Sequence, residues 1–223
     1  MGVRDSAGGP PHPLLRGWSH TVAASEAVVF TAALVQHAST SGLPLVTLLL
    51  YGLSSIWLFG CSAAYHLVAW SPTRREVLRA LDHGNIYVAT AATWTAVGAN
   101  VLDGWQRLVL LATVWACTLI SVAVSLFHVR LAPMPRVGLC LLTGFSGVIA
   151  APALLAALPL EAIGGSLAGA GLYTIGGVVY AIRRPDPFPS IFGYHEVFHL
   201  LVIAGATAFG AVIWIWVIPM VGR

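Results

Sequence analysis

Two histidines one helical turn apart are the first residues of this chain that could carry chemistry. His195 and His199 occur in the segment GYHEVFHLLVIAG, at the start of a long apolar stretch. Residues at i and i+4 lie on one face of a helix, so both imidazoles can reach one metal ion, and histidine nitrogen is a common zinc ligand. The spacing predicts a zinc site, with two histidines that only pack between helices as the alternative.

Composition indicates the elements that must position these histidines. Of 223 residues, 58% are hydrophobic and 9% are charged. A soluble domain of this size has too small an interior to bury so many apolar side chains. A membrane span needs about 20 mainly apolar residues. The chain divides into seven such segments, roughly 20–40, 44–69, 80–101, 105–127, 136–158, 162–182 and 194–218.

The fold class predicted from this pattern is all-α. We expect a polytopic membrane protein, a seven-transmembrane-helix bundle over residues 18–223, preceded by a flexible cytoplasmic tail over residues 1–17. The tail is polar and rich in proline and glycine, and it lacks the apolar core of a cleavable signal peptide. The loops are too short for a second domain.

Arginine predicts the orientation of the bundle. The chain has 11 arginines and no lysine, and a path that crosses seven times places nine of them on one side, leaving Arg107 and Arg223 opposite. By the positive-inside rule the nine lie in the cytoplasm, so the N-terminus is cytoplasmic and the C-terminus is external. We expect a multi-pass protein of the inner (plasma) membrane. Contact with anionic lipid headgroups explains the excess of basic over acidic residues. The sequence has no nucleic-acid-binding motif, so no nucleic-acid partner is expected.

Topology then brings further polar residues to the level of the histidine pair. His66 ends the second segment in CSAAYHLVAW, with Ser62 four residues earlier on the same helix face, and Asp82 begins the third segment in LRALDHGNIY. Three neutral imidazoles fill three tetrahedral positions of zinc and leave the fourth for water, as in catalytic zinc sites. We expect Asp82 to hold or deprotonate that water. Ser62 would orient a water, a ligand imidazole or a substrate carbonyl.

Four segments of the chain carry a family resemblance. They are LLRGWSH, AAYHLVAWSP, LDHGNIY and RRPDPFPSIFGYHEVFHLLVIAG, in this order. Together with the S-x-x-x-H, D-H and H-x-x-x-H motifs they resemble the bacterial hemolysin III proteins, within the progestin and adipoQ receptor family and related to adiponectin receptors and alkaline ceramidases. The resemblance implies seven spans and zinc (Zn²⁺) held by His66, His195 and His199, with Ser62 and Asp82 beside the ion.

Other ionisable residues invite a functional interpretation. Glu196 completes H-E-x-x-H, in which soluble zinc proteases use the glutamate as general base. Since Asp82 already offers a carboxylate, we expect Glu196 to make a contact between helices or at headgroup level. Glu26, inside the first segment, is expected to face a polar partner or the bundle interior. His20 is predicted to be interfacial.

Three classes of function fit these residues. A zinc hydrolase acting on an amide or ester of a membrane lipid uses the open coordination position and the nearby Asp82 and Ser62. A non-enzymatic membrane sensor or regulator would keep the same zinc as a structural clamp. A cytolytic pore is suggested only by the family name, and polar residues clustered on one side do not favour a channel. The oligomeric state is open.

Overall fold

The computed structural model describes residues 13–127 and 132–221, which form eight α-helices and no strand. The first four helices are joined by short connections. They are α1 (Trp18–Ala38), α2 (Gly42–Leu67), α3 (Pro72–Val101) and α4 (Gly104–Phe127). The remaining helices are α5 (Pro133–Phe145), α6 (Ala151–Ala157), α7 (Leu160–Ile182) and α8 (Tyr194–Val212).

Two of the predicted segments are not single regular helices. The fifth is divided by a 3₁₀ turn over Ser146–Ala150, which joins α5 to α6. The last continues beyond α8 as a π-helical turn, Ile213–Val217, and a 3₁₀ turn, Ile218–Met220. Pro152 and Pro219 stand at the start of the segments that follow these changes, and proline lacks the N–H that a continuous α-helix needs.

Neighbouring helices pack in sequence order around the bundle. α1 packs on α2, α2 on α3 and α3 on α4, while α7 packs on α8 and α8 returns to α1. The main core lies between them and contains Leu34, Leu48, Ala91, Leu110 and Ile213, each fully buried. The all-helical membrane bundle expected from composition is thus confirmed.

Six of the helical segments in the described part of the chain are long and apolar enough to cross a membrane. They are α1, α2, α4, α5 with α6, α7, and α8 with its two terminal turns. The third segment, α3, is 30 residues long but is not among them. Its first turns carry Arg74, Arg75, Arg79, Asp82 and His83, which lower its mean hydropathy.

Glu26 does not face the interior of the bundle, which was one of the two alternatives expected for it. The buried residues of α1 are His20, Ala23, Ala27, Thr31 and Leu34, which repeat at three- and four-residue intervals along one face. Position 26 is about 100° away from position 27 on a helix. Its side chain therefore lies on the exposed outer face of α1, not in the interior of the bundle.

The segment before α1 is held against the loop between α7 and α8. Leu14 N–H donates to the carbonyl of Ser190, and Leu15 N–H donates to the carbonyl of Ile191, each at 3.1 Å. Residues 13–17, which the sequence assigns to the tail, therefore have a defined place beside the start of α8. Residues 1–12 of the predicted tail lie outside the described residues.

Candidate metal centre

Three histidine side chains converge at one end of the bundle. His66 comes from the last turn of α2, and His195 and His199 come from the first turns of α8. One ring nitrogen of each lies within 4.8 Å of the corresponding nitrogen of the other two. The sequence predicted this convergence from the i, i+4 spacing on the last span and from an alternating path of the helices.

The separation of the first two histidines fits a shared metal ion. His66 Nε2 and His195 Nε2 are 3.3 Å apart. Two nitrogens at about 2.0–2.1 Å from one tetrahedral zinc would be separated by about 3.3–3.4 Å. His199 is buried, and its Nδ1 has no hydrogen-bond partner among the described residues. The donor set therefore suits zinc in ligand type, number and spacing.

A fourth histidine, His20, lies against this set. Its ring stacks on that of His199 with centroids 3.7 Å apart and planes 9° from parallel. His20 also meets the ring of Phe59 edge-on at 5.2 Å. The prediction that His20 is interfacial is wrong, because its position in the first turn of α1 directs it onto the buried face that meets α8.

Glycine at position 17 allows the chain to approach the site closely. Gly17 has φ +85°, and a Cβ there would lie 2.9 Å from the Cβ of His66. A larger residue would meet both a strained backbone conformation and a clash. The turn before α1 therefore packs directly on one of the three histidines.

Ser62 and Asp82 are brought together as the sequence predicted. Ser62 lies four residues before His66 on α2 and is buried, and its side chain faces the Asp82 carboxyl group on α3. Arg136 of α5 lies near enough to act on the same carboxyl group electrostatically. Asp82 forms part of the cavity wall together with His66 and His195.

Glu196 stabilises the first turn of α8. One carboxylate oxygen, Oε2, accepts a hydrogen bond of 2.7 Å from the Gly193 N–H, and the other, Oε1, forms an ion pair with Arg16 Nε. The Glu196 side chain is 2% exposed. Both oxygens are thus engaged in joining the segment before α1 to α8. The expected contact between helices is thus replaced by a cap of α8 and an ion pair with the segment before α1.

The polar neighbours of Asp82 have different surroundings. Asn85 is buried, and its Oδ1 accepts a hydrogen bond of 3.0 Å from Trp57 Nε1 on α2. This contact gives Asn85 a role in packing and hydrogen bonding between α2 and α3. His83, in contrast, lines the same cavity as Asp82.

A cavity of about 380 Å³ opens beside the histidines. His66, Asp82 and His195 form part of its wall, whereas His199 lies deeper. The helix ends that meet there are the end of α2, the starts of α3 and α5, the end of α7 and the start of α8. A small polar group of a ligand can therefore reach the histidines from this end of the bundle.

Sequence reasoning missed two contributors to the site. His20 and Arg16 lie near the start of α1, far in sequence from the other members, and neither belongs to a motif with ligand spacing. The signals that pointed to them were their place in the segment LLRGWSH, which carries the family resemblance, and, for Arg16, the clustering of basic residues on one predicted side. Their contacts with His199 and Glu196 depend on how α1 packs against α8.

Comparison with known proteins gives related sequences. The family model described as haemolysin-III related matches residues 10–209. The Hemolysin-3 homolog of Bacillus subtilis (strain 168) is 27% identical over 164 residues, covering 74% of each chain. The Hemolysin-3 of Bacillus cereus is 25% identical over 203 residues, covering 90% of each chain.

Proposed function

Because the chain belongs to the haemolysin-III-related family, we propose that it is an integral membrane zinc protein of that family that hydrolyses an amide or ester of a membrane lipid. The observation that carries the proposal is the convergence of three imidazoles, two of which line a cavity that an acid, Asp82, also lines. A catalytic zinc site needs this combination of three protein ligands and access for water and substrate.

His66, His195 and His199 would hold the ion. When bound, zinc would supply Lewis-acid activation of a water molecule and of the substrate carbonyl. His20 would keep the His199 ring in place by stacking on it. Gly17 would do the same for His66 by close packing.

Asp82 is the proposed general base. Its carboxylate would take a proton from the attacking water and later return it to the leaving amine or alcohol. Ser62 would act as a positioning residue, because its side chain faces Asp82 and its hydroxyl would orient the carboxyl group by donating a hydrogen bond. Glu196 has no part in this chemistry, because both of its oxygens are engaged elsewhere.

Seven crossings of the membrane suit this site. The cavity gathers the end of α2, the start of α3, the start of α5, the end of α7 and the start of α8, which is the pattern of helices that alternate in direction. α3 is about 45 Å long at 1.5 Å per residue, enough to cross a hydrocarbon core of about 30 Å. We therefore count α3 as a span as well, which gives seven in total. Its charged first turns would lie at the cytoplasmic boundary.

The test of hydrolysis is the variant Asp82→Asn. It should retain the fold and the metal, yet lower turnover of a lipid amide or ester by roughly 10²–10⁴-fold, the usual contribution of a general base. Ser62→Ala should lower turnover by at most about tenfold, because one orienting hydrogen bond is worth about 0.5–1.5 kcal/mol. The measurement is lipid profiling of cells that carry each variant, together with zinc analysis of the purified proteins.

Asp103→Asn is the matched control, since Asp103 is a fully exposed carboxylate between α3 and α4, at the opposite end. It should leave the lipid profile unchanged. If Asp82→Asn likewise leaves the lipid profile of the cells unchanged, and removal of zinc destabilises the helix bundle, the hydrolase proposal fails.

A regulator with a structural zinc is the second candidate. One observation favours it: the three ligands come from only two helices, with His66 on α2 and the other two on α8. An ion there would tie the end of α2 to the start of α8 without any need for Asp82. The two candidates therefore differ in the expected effect of Asp82→Asn.

A further inference from the structure

The cavity beside the histidines is strongly basic. Five arginines line it: Arg16, Arg75, Arg79, Arg136 and Arg183. Within the described part of the chain, Asp82 is the one carboxylate that lines this cavity. The arginines come from the segment before α1 and from α3, α5 and the end of α7, so no single helix accounts for the cluster.

Two carboxylates outside the cavity wall contact its arginines: Glu196 pairs with Arg16, and Glu76 lies 3.8 Å from Arg79. Among the described residues that line the cavity itself, arginines outnumber carboxylates by five to one. Positive charge concentrated in a concave, partly buried site attracts anions more strongly than the same charge on an open surface.

The contacts of the arginines fix their positions in the wall. Arg136 Nη1 donates a hydrogen bond of 2.7 Å to the Tyr180 hydroxyl. Arg75 lies over the Tyr65 ring, 5.7 Å from its centroid. Arg79 Nε is buried and has no hydrogen-bond partner within the described parts of the chain. A buried donor of this kind indicates a missing acceptor.

The chemistry of the wall selects the type of anion. A guanidinium offers paired N–H donors that match the oxygens of phosphate, and tyrosine hydroxyls can add further donors. A volume of about 380 Å³ accommodates a phosphate headgroup with its glycerol carbons, and lies at the lower end of the usual range for ligand pockets.

We propose that this cavity binds the phosphate group of an anionic ligand, beside His66 and His195. Such a group belongs either to a phospholipid headgroup or to free phosphate. A lipid whose phosphate occupies the arginines would place its ester or amide linkage toward the histidines. Binding is measured without turnover, so its outcome is separate from that of the hydrolase proposal.

The experiment uses the full chain purified in an uncharged maltoside detergent, which carries no phosphate. Its affinity is measured for inorganic phosphate and, separately, for dioctanoyl phosphatidic acid, with dioctanoylglycerol as the matched lipid without phosphate. We expect binding of a phosphate-bearing ligand and none of dioctanoylglycerol. Binding of both phosphate compounds identifies free phosphate as sufficient, whereas binding of phosphatidic acid alone identifies the lipid headgroup.

The double variant Arg79→Gln/Arg136→Gln should weaken phosphate binding by at least about tenfold, because it removes two charged donors. Arg107→Gln, at the other end of the bundle, should bind as the unaltered protein does. Should the double variant fail to fold, Arg183→Gln serves instead, since Arg183 is exposed and its loss should still weaken binding severalfold. If neither inorganic phosphate nor dioctanoyl phosphatidic acid binds, or if a folded cavity variant binds as well as the original protein, the proposal is overturned.

Discussion

At the scale of single residues, the ion pair between Arg16 and Glu196 allows a test of whether Glu196 has a structural or a catalytic role. Arg16→Gln leaves the Glu196 carboxylate buried without its charged partner, and breaking a buried pair in this way costs about 3–5 kcal/mol. We expect a lower melting temperature of the purified protein.

Glu196→Gln should retain lipid turnover, because the glutamine oxygen can still accept a hydrogen bond from the Gly193 N–H.

Arg107→Gln is the control for this prediction. Arg107 faces Asp103 at 3.9 Å, and that carboxylate is fully exposed, so its loss should leave the melting temperature unchanged. An Arg16→Gln protein as stable as the original would contradict the structural role. Loss of turnover in a fully stable Glu196→Gln protein would instead make Glu196 a general base.

Residue chemistry was predictable where it follows from spacing along one helix. The pair His195 and His199, and Ser62 with His66, each share a helix face at i, i+4, and both pairs were identified from sequence. The stacking of His20 on His199 was not predictable in this way. It depends on the rotation of α1 against α8, which no local pattern in α1 determines.

At the scale of helices, α7 and α8 meet through glycines. A Cβ at Gly205 would lie 2.7 Å from the Tyr173 ring and 3.2 Å from the Gly169 carbonyl oxygen. We therefore expect Gly205→Ala to separate the two helices and lower the melting temperature. Close glycine contacts of this kind support helix association in membranes.

Gly171→Ala provides the matched control on α7, because no atom of the described residues lies within 4 Å of a Cβ at that position. Alanine there should leave stability unchanged or raise it by up to about 1 kcal/mol, the difference in helix propensity. A Gly205→Ala protein that is as stable as Gly171→Ala would show that this helix contact is not tight.

The bounds of most helices were close to the predicted segments because hydropathy and turn residues mark them clearly. α3 is the exception, since it begins at Pro72 and the apolar segment began at 80. Its first turns carry charge because they line the basic cavity, and so they lack the apolar signal of a span. The 3₁₀ turn between α5 and α6 was also missed. Its residues are as apolar as those of the helices beside it, so the hydropathy of the segment does not show that the helix type changes.

At the scale of the whole molecule, orientation is the property that arginine predicts. A reporter fused after Arg223 should register as external, and one inserted near Arg74 should register as cytoplasmic. The reason is the bias of nine arginines among 11 toward one side. The reverse result would leave the histidine site intact but would place its cavity in the outer leaflet.

Every role proposed for this site requires that His66, His195 and His199 hold a metal ion together. Metal analysis of the purified full chain measures it directly. We predict about one zinc per chain, and loss of that zinc in the double variant His195→Ala/His199→Ala, since one remaining imidazole cannot hold the ion. His37→Ala, whose ring stacks on Trp214 and lies outside this cluster, should keep the metal. Stoichiometric zinc retained by the double variant would contradict the proposed centre.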